Sequence, residues 1–228
     1  MFPRLVSAAA VGVLLLAGTL ALPGQSRRGV KLAAGQFLVA NRNGSDPNFA
    51  RTVILLARYD QTSAMGLIIN RPSSVPLSRA LGSIEAAKNR PEPVYFGGPV
   101  GMTGALALLR SPSAPAAGTN VFANVHLIST RTLLEKTLAA GTPASDFRVY
   151  LGYAGWGAGQ LDMEVGLGWW HVMPAEAGMV FDPQPGTLWA RLIGRFEGLR
   201  ARLNRVFGPE LQKPAAGSRR PGLGFPAA

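Results

Sequence analysis

Apolar positions in this chain come in two spacings. Short runs rich in Val, Ile, Leu and aromatics, bounded by Gly, Pro, Asn or Asp, predict strands. They fall at residues 36–40, 51–59, 66–70, 94–96, 105–109, 121–128, 147–153, 169–173 and 179–181. Val53-Ile54-Leu55-Leu56-Ala57 is apolar at every position, which predicts a strand covered on both faces. Helical spacing appears between the strands. Pro76 occupies a first-turn position ahead of Leu77, Ala80, Leu81 and Ile84. Thr132 and Glu135 have capping-box spacing at the start of a helix over 132–140, with Gly141 as its stop. A short helix over 160–165 follows a glycine run. The longest periodic stretch covers 187–207. It sets Trp189, Leu192, Ile193, Phe196, Leu199, Leu203 and Val206 on one side, with Arg191, Arg195, Arg202 and Arg205 opposite.

Residues 5–22 carry no charge, with Arg4 before them and Arg27-Arg28 after. That length lies between a signal peptide and a spanning helix, so residues 1–26 read as one or the other. The chain is then inner-membrane-anchored or exported to the periplasm. A mis-assigned start near Val30 or Leu32 would instead leave it cytosolic. A globular domain over 35–188 follows, then a basic amphipathic helix over 189–208 and a disordered tail over 209–228.

The net charge of +11 is carried by the flanks. Residues 1–34 hold four basic residues and no acid, and residues 189–228 hold eight basic and two acidic. The body between them is almost neutral. A domain that binds phosphate backbones carries its own basic face, so direct nucleic-acid binding is disfavoured. An anionic membrane surface or a solvated tail suits the basic flanks better, and the terminal helix either lies on anionic lipid or packs Trp189, Ile193 and Phe196 onto the domain. The absence of cysteine removes disulfides and thiolate chemistry.

No constellation of nucleophile and base stands out, and no catalytic residue, metal ligand or cofactor is assigned. The glycine series in 152–161 spaces its glycines G-x-G-x-G rather than G-x-G-x-x-G, and a structural turn explains it better than a phosphate loop. His126 and His171 lack partners at ligand spacing and read as strand or surface histidines. Asp46, Asn48 and Arg51 surround a turn, where Asp46 or Asn48 bonds its own backbone. Asn70 and Arg71 end a strand, and Arg71 either holds an anion or, the preferred reading, pairs with an acid such as Asp46 or Glu164. Tyr153, Trp156, Gln160 and Glu164 complete the candidate surface, with Gln160 and Glu164 sharing a helix face at i, i+4.

Four ordered motifs carry a family resemblance. They are Asp46-Pro47-Asn48-Phe49 with Arg51-Thr52-Val53; Met65 through Pro72; Tyr95-Phe96-Gly97-Gly98-Pro99-Val100; and Gly152-Tyr153-Ala154-Gly155-Trp156 through Gly159-Gln160-Leu161. Over 35–189 the chain resembles the YqgE/AlgH family. The resemblance implies an α+β fold, with a bifurcated mixed β-sheet and a small closed barrel flanked by helices. It implies no enzymatic activity. Members are uncharacterised bacterial proteins, or are described as transcriptional regulators by analogy with control of alginate synthesis. Three features depart from the pattern: a reduced acidic run at Asp162-Met163-Glu164, Gly168 and His171 in place of Asn and Leu, and the extra terminal segments. The function expected is that of a non-enzymatic binding or regulatory protein with a protein or small-molecule partner. The alternative is an enzyme using Glu164 or Asp162 as a general base on an anionic small molecule.

Overall fold

A computed structural model describes residues 31–44 and 46–207. The expected signal or anchor segment over 1–26 and the tail over 209–228 lie outside the described residues. The elements run β1 (Gln36–Ala40), β2 (Val53–Tyr59), β3 (Ser63–Ile68), β4 (Pro72–Pro76), α1 (Leu77–Ala80), β5 (Pro93–Phe96), β6 (Val100–Arg110), β7 (Thr119–Phe122), β8 (Val125–Ile128), α2 (Arg131–Ala139), β9 (Phe147–Gly157), α3 (Gln160–Gly166), β10 (Trp170–Pro174), α4 (Ala177–Val180) and α5 (Pro185–Phe207). Two 3-10 turns, Pro47–Phe49 and Glu85–Ala87, complete the list.

The fold is α+β. Of the ten strands, eight join in the order β10-β1-β2-β3-β9-β6-β8-β7, and the sheet forks at β9, where β5 and β4 branch off. On one edge β9 pairs antiparallel with β6. On the other, its first half pairs parallel with β5 and its last residues pair antiparallel with β3. Strand β4 hangs from β5. The sheet curls into a half-barrel with helices packed on it, so the forked α+β sheet flanked by helices that the resemblance implied is present.

Glycine makes the fork sterically possible. Gly97 donates to the Leu151 carbonyl at 2.8 Å and accepts from Ile68 N–H at 2.9 Å, so it bridges the two branches. A Cβ on Gly97 would lie 2.3 Å from the Gly152 oxygen, and one on Gly152, at φ +68°, would lie 2.3 Å from the Gly98 oxygen. Backbones touch here with no room for side chains.

The main core lies inside the half-barrel. Val53 through Leu56 of β2 are fully buried, as the unbroken apolar run predicts, and pack with Phe37, Leu38, Leu67 and Ile68. A second core joins Val94, Ala107, Phe147 and Val149 to Leu133, Leu134 and Leu138 of α2. Helix α5 lies on β1 through Leu188, Trp189, Leu192 and Ile193, with Phe196 half-buried. Beyond that point its apolar stripe leaves the body, and Leu199, Leu203 and Val206 are exposed.

Several elements differ from their sequence reading. The 121–128 run is a hairpin, β7 and β8, because the chain reverses at Ala123, whose φ is +42°. The apolar triplet at 179–181 belongs to a helical turn, α4. The glycine series continues β9 to Gly157 before the chain turns into α3. Thr130, rather than Thr132, caps α2 by accepting from Leu133 N–H, while Glu135 pairs with Arg131. The helix expected after Pro76 lasts one turn.

Candidate functional site

The β1–β2 connection carries the turn that the sequence singled out. Asp46 accepts from Asn48 N–H at 2.8 Å and caps the 3-10 turn Pro47–Phe49, as Asp before Pro favours. That turn directs Phe49 inward. Its ring stacks on Trp156 of β9, with centroids 6.3 Å apart and planes at 20°, and meets Trp170 of β10 edge-on at 5.8 Å.

Two residues at the β3–β4 junction hold this loop. Arg71 donates to the carbonyls of Asn48 at 2.6 Å and Ala50 at 2.9 Å. This corrects the expected pairing with Asp46 or Glu164: Arg71 satisfies loop carbonyls, and half-burial pulls its pKa down. Asn70, buried, donates to the Arg51 carbonyl at 3.0 Å and accepts from Val53 N–H at 2.8 Å. Arg51 between them has φ +56°, the left-handed region. A non-glycine residue there costs about 1–2 kcal/mol. Its guanidinium lies over the Trp189 ring at 5.9 Å and makes no ion pair with any described residue.

Beneath the loop is a cavity of about 240 Å³. Phe49, Trp156, Trp169, Trp170 and Trp189 line it, so all four tryptophans of the chain meet at one place. Glu164 of α3 closes one side. One carboxylate oxygen accepts from Trp156 Nε1 at 2.9 Å and Trp170 Nε1 at 2.8 Å, and the other accepts from Gln160 Nε2 at 3.0 Å. Only 8% of Glu164 is exposed, so these three donors offset a desolvation that would otherwise be costly. Trp189 donates to the Ala40 carbonyl at 2.8 Å, which fixes α5 as the opposite wall. At the rim Arg42 lies over Trp189 and pairs with Glu197 of α5 at 2.5 Å.

Of the nine candidate residues, Asp46, Arg51, Trp156, Gln160 and Glu164 line this cavity. Asn48, Asn70 and Arg71 stand behind the loop and shape it. Tyr153 lies apart, its ring against Gly101 and Gly155. Sequence reasoning missed Arg42, Phe49, Trp169, Trp170 and Trp189 as lining residues; the signal on offer was the concentration of every tryptophan between 156 and 189. Asp162 lies outside the lining and accepts from the Tyr59 hydroxyl at 2.7 Å. His126 bonds the Ser111 carbonyl at 3.1 Å, and His171 stacks on Phe196 at 4.7 Å. Among the described residues, no group of three or more His, Asp and Glu is placed to hold a metal ion.

Residues 37–200 match the family described as AlgH-like. The chain belongs to the AlgH-like family. A UPF0301 protein of Streptomyces avermitilis is 34% identical over 175 residues, which cover 73% of this chain and 88% of that one. The solution structure of AlgH from Pseudomonas aeruginosa is similar with a TM-score of 0.56 and 30% identity, over 81% of this chain and 95% of AlgH. A crystal structure of a Corynebacterium diphtheriae protein is similar in fold, with a TM-score of 0.61 and 24% identity over 72% and 87% of the two chains. The AlgH-like match takes in most of α5. Where the resemblance has Asn, Gly168 adopts φ +76°, a conformation that Gly and Asn both accept. Its carbonyl takes the Asn41 amide at 2.9 Å, tying the AlgH-like loop after α3 to the cavity rim.

Proposed function

We propose that this AlgH-like domain is a non-enzymatic binding protein whose cavity holds a small molecule and relays its presence to a regulatory partner. The observation that supports this is the gathering of all four tryptophans and Phe49 around one cavity with a buried, hydrogen-bonded carboxylate at its side. Sites for small molecules share this makeup of apolar walls with few fixed polar groups. The test is native mass spectrometry of the purified protein after exposure to a metabolite extract. A bound mass that disappears on Phe49→Ala substitution supports the reading, and an unliganded spectrum throughout defeats it.

The enzymatic alternative fares worse on the same geometry. A general base needs a free lone pair within reach of the substrate proton. Glu164 spends three acceptor positions on Trp156, Trp170 and Gln160, and Asp162 is bonded to Tyr59 outside the cavity. Altered metabolite levels in a strain carrying Glu164→Gln, matched by turnover in vitro, would reinstate it.

We further propose that residues 1–26 export or anchor the chain and that the projecting half of α5 rests on anionic lipid. The uncharged run at 5–22 and the exposed Leu199, Leu203 and Val206 support this. Among the described residues no helix is long and apolar enough to cross a membrane. Cell fractionation with N-terminal sequencing separates a cleaved signal, an anchor and a false start.

A further inference from the structure

The rim of the cavity contains two arginines in different circumstances. Arg42 is committed to Glu197, whereas among the described residues the Arg51 side chain meets only the face of Trp189. The two lining carboxylates already have N–H donors: Asp46 takes Asn48 N–H, and Glu164 takes two indoles and an amide. Arg51 is therefore the lining charge least compensated by its surroundings.

Its backbone points the same way. At φ +56° glycine would be relaxed, yet a long cationic side chain stands there, held by Asn70 on one flank. Strain of this kind persists where a side chain has work to do.

We propose that the cavity takes a small ligand with a flat apolar body and an oxyanion at one end, and that Arg51 receives the oxyanion. The body lies among Phe49, Trp169 and Trp189, and the guanidinium supplies paired N–H donors whose geometry matches a carboxylate or phosphate. This rests on the small-molecule reading above and assigns it a chemical class. The rival is a cation held by Glu164 and the aromatic faces.

The indole N–H NMR signals of the full-length protein report on the cavity directly, because every tryptophan lines it. Three probes share one ring: benzoate, phenyl phosphate and benzylamine, each titrated at millimolar concentration. The expected result is that at least one anion binds about tenfold or more tightly than the amine. The tighter of the two anions decides between carboxylate and phosphate. Arg51→Gln loses about tenfold in anion affinity, and Arg51→Lys, which keeps the charge but not the paired donors, loses less. Arg51→Gly also loses the anion but raises Tm by about 2–4 °C, because the strain is relieved. Preference for benzylamine, or anion binding unchanged in Arg51→Gln, overturns the proposal while leaving a binding cavity. Indole signals unmoved by all three probes overturn both.

Discussion

Asn70 fixes the backbone of Arg51: its amide nitrogen donates to the Arg51 carbonyl while its oxygen takes the N–H of Val53, two residues on. One buried side chain thereby spans the residue in the left-handed region and the first residue of β2. The cavity rim is tied to the core by this link.

Asn70→Ala leaves Val53 N–H buried without a partner and frees the Arg51 carbonyl. The expected loss is about 2–3 kcal/mol, read as a lower urea midpoint with unchanged slope. The same substitution in an Arg51→Gly background costs less, because glycine keeps the left-handed turn without help. A double-mutant cycle measures that coupling, and strict additivity would show the two residues to be independent.

Glu164 offers a second test of the rim. Glu164→Leu leaves the indole donors of Trp156 and Trp170 unsatisfied in a buried site, for an expected loss of about 3 kcal/mol or more. Glu164→Gln is milder, about 1–2 kcal/mol. Its oxygen can face the indoles, but its nitrogen then meets the Gln160 amide, which must flip and release Gly157 N–H. Thermal or urea unfolding ranks the three proteins, and equal stability of Leu and Gln variants would contradict the hydrogen-bond account.

Much of this was legible in the chain, and the failures have local causes. The buried β2 was plain because nothing polar interrupts Val53–Ala57. The 46–51 turn and the Gln160–Glu164 pair were plain because both are set by neighbours in sequence. The β7–β8 hairpin was hidden because its two-residue turn is Ala123-Asn124, without the glycine that usually marks a positive φ. Instead the Asn120 amide donates to the Ala123 carbonyl at 3.0 Å and holds the reversal. The helical turn at Val180 was hidden because three apolar residues fit helix or strand equally. The carbonyls of Val180 at its end and of Asp182 just beyond are taken by Arg148, some thirty residues earlier. The cavity was half legible. Its polar members stood out as turn and helix residues, but Trp169 arrives from the α3–β10 connection, Trp170 from β10 and Trp189 from α5, through pairings between distant segments.

His171 makes stability fall with acid. Burial against Phe196 lowers its pKa, Arg200 lowers it further, and Glu197 opposes them. The unfolded chain, with an ordinary histidine near pH 6.5, therefore takes up its proton first as pH drops. Stability from this group is complete above about pH 6.5 and declines as pH falls through the lower folded value. Asp146, held down by its bond from Arg110, adds the same trend only at lower pH, in the carboxylate range. Urea midpoints compared between about pH 7.5 and pH 5.5 should drop for the parent and stay nearly flat for His171→Phe. A parallel drop in both would assign the effect to other groups.

The projecting half of α5 yields a test that stability measurements cannot confuse with folding. Leu199, Leu203 and Val206 are 58%, 46% and 72% exposed, with Arg195 and Arg202 flanking the stripe one turn away and Arg205 further round the helix. Gly194 and Gly198 weaken the helix by about 1 kcal/mol each relative to Ala, so an external surface has something to add to its order. Vesicles of phosphatidylglycerol should bind the protein, and vesicles of phosphatidylcholine should not. Binding should weaken with added salt, since basic side chains near the surface act within a Debye length. Replacing Leu199, Leu203 and Val206 together by Ser removes the apolar stripe without touching the core, so binding falls while Tm holds. The residues before β1 need the same control: a chain beginning at residue 31 separates the helix from any contribution of the apolar segment at 5–22. Salt-insensitive binding, or binding that survives the triple substitution in the shortened chain, would exclude the helix as the lipid contact.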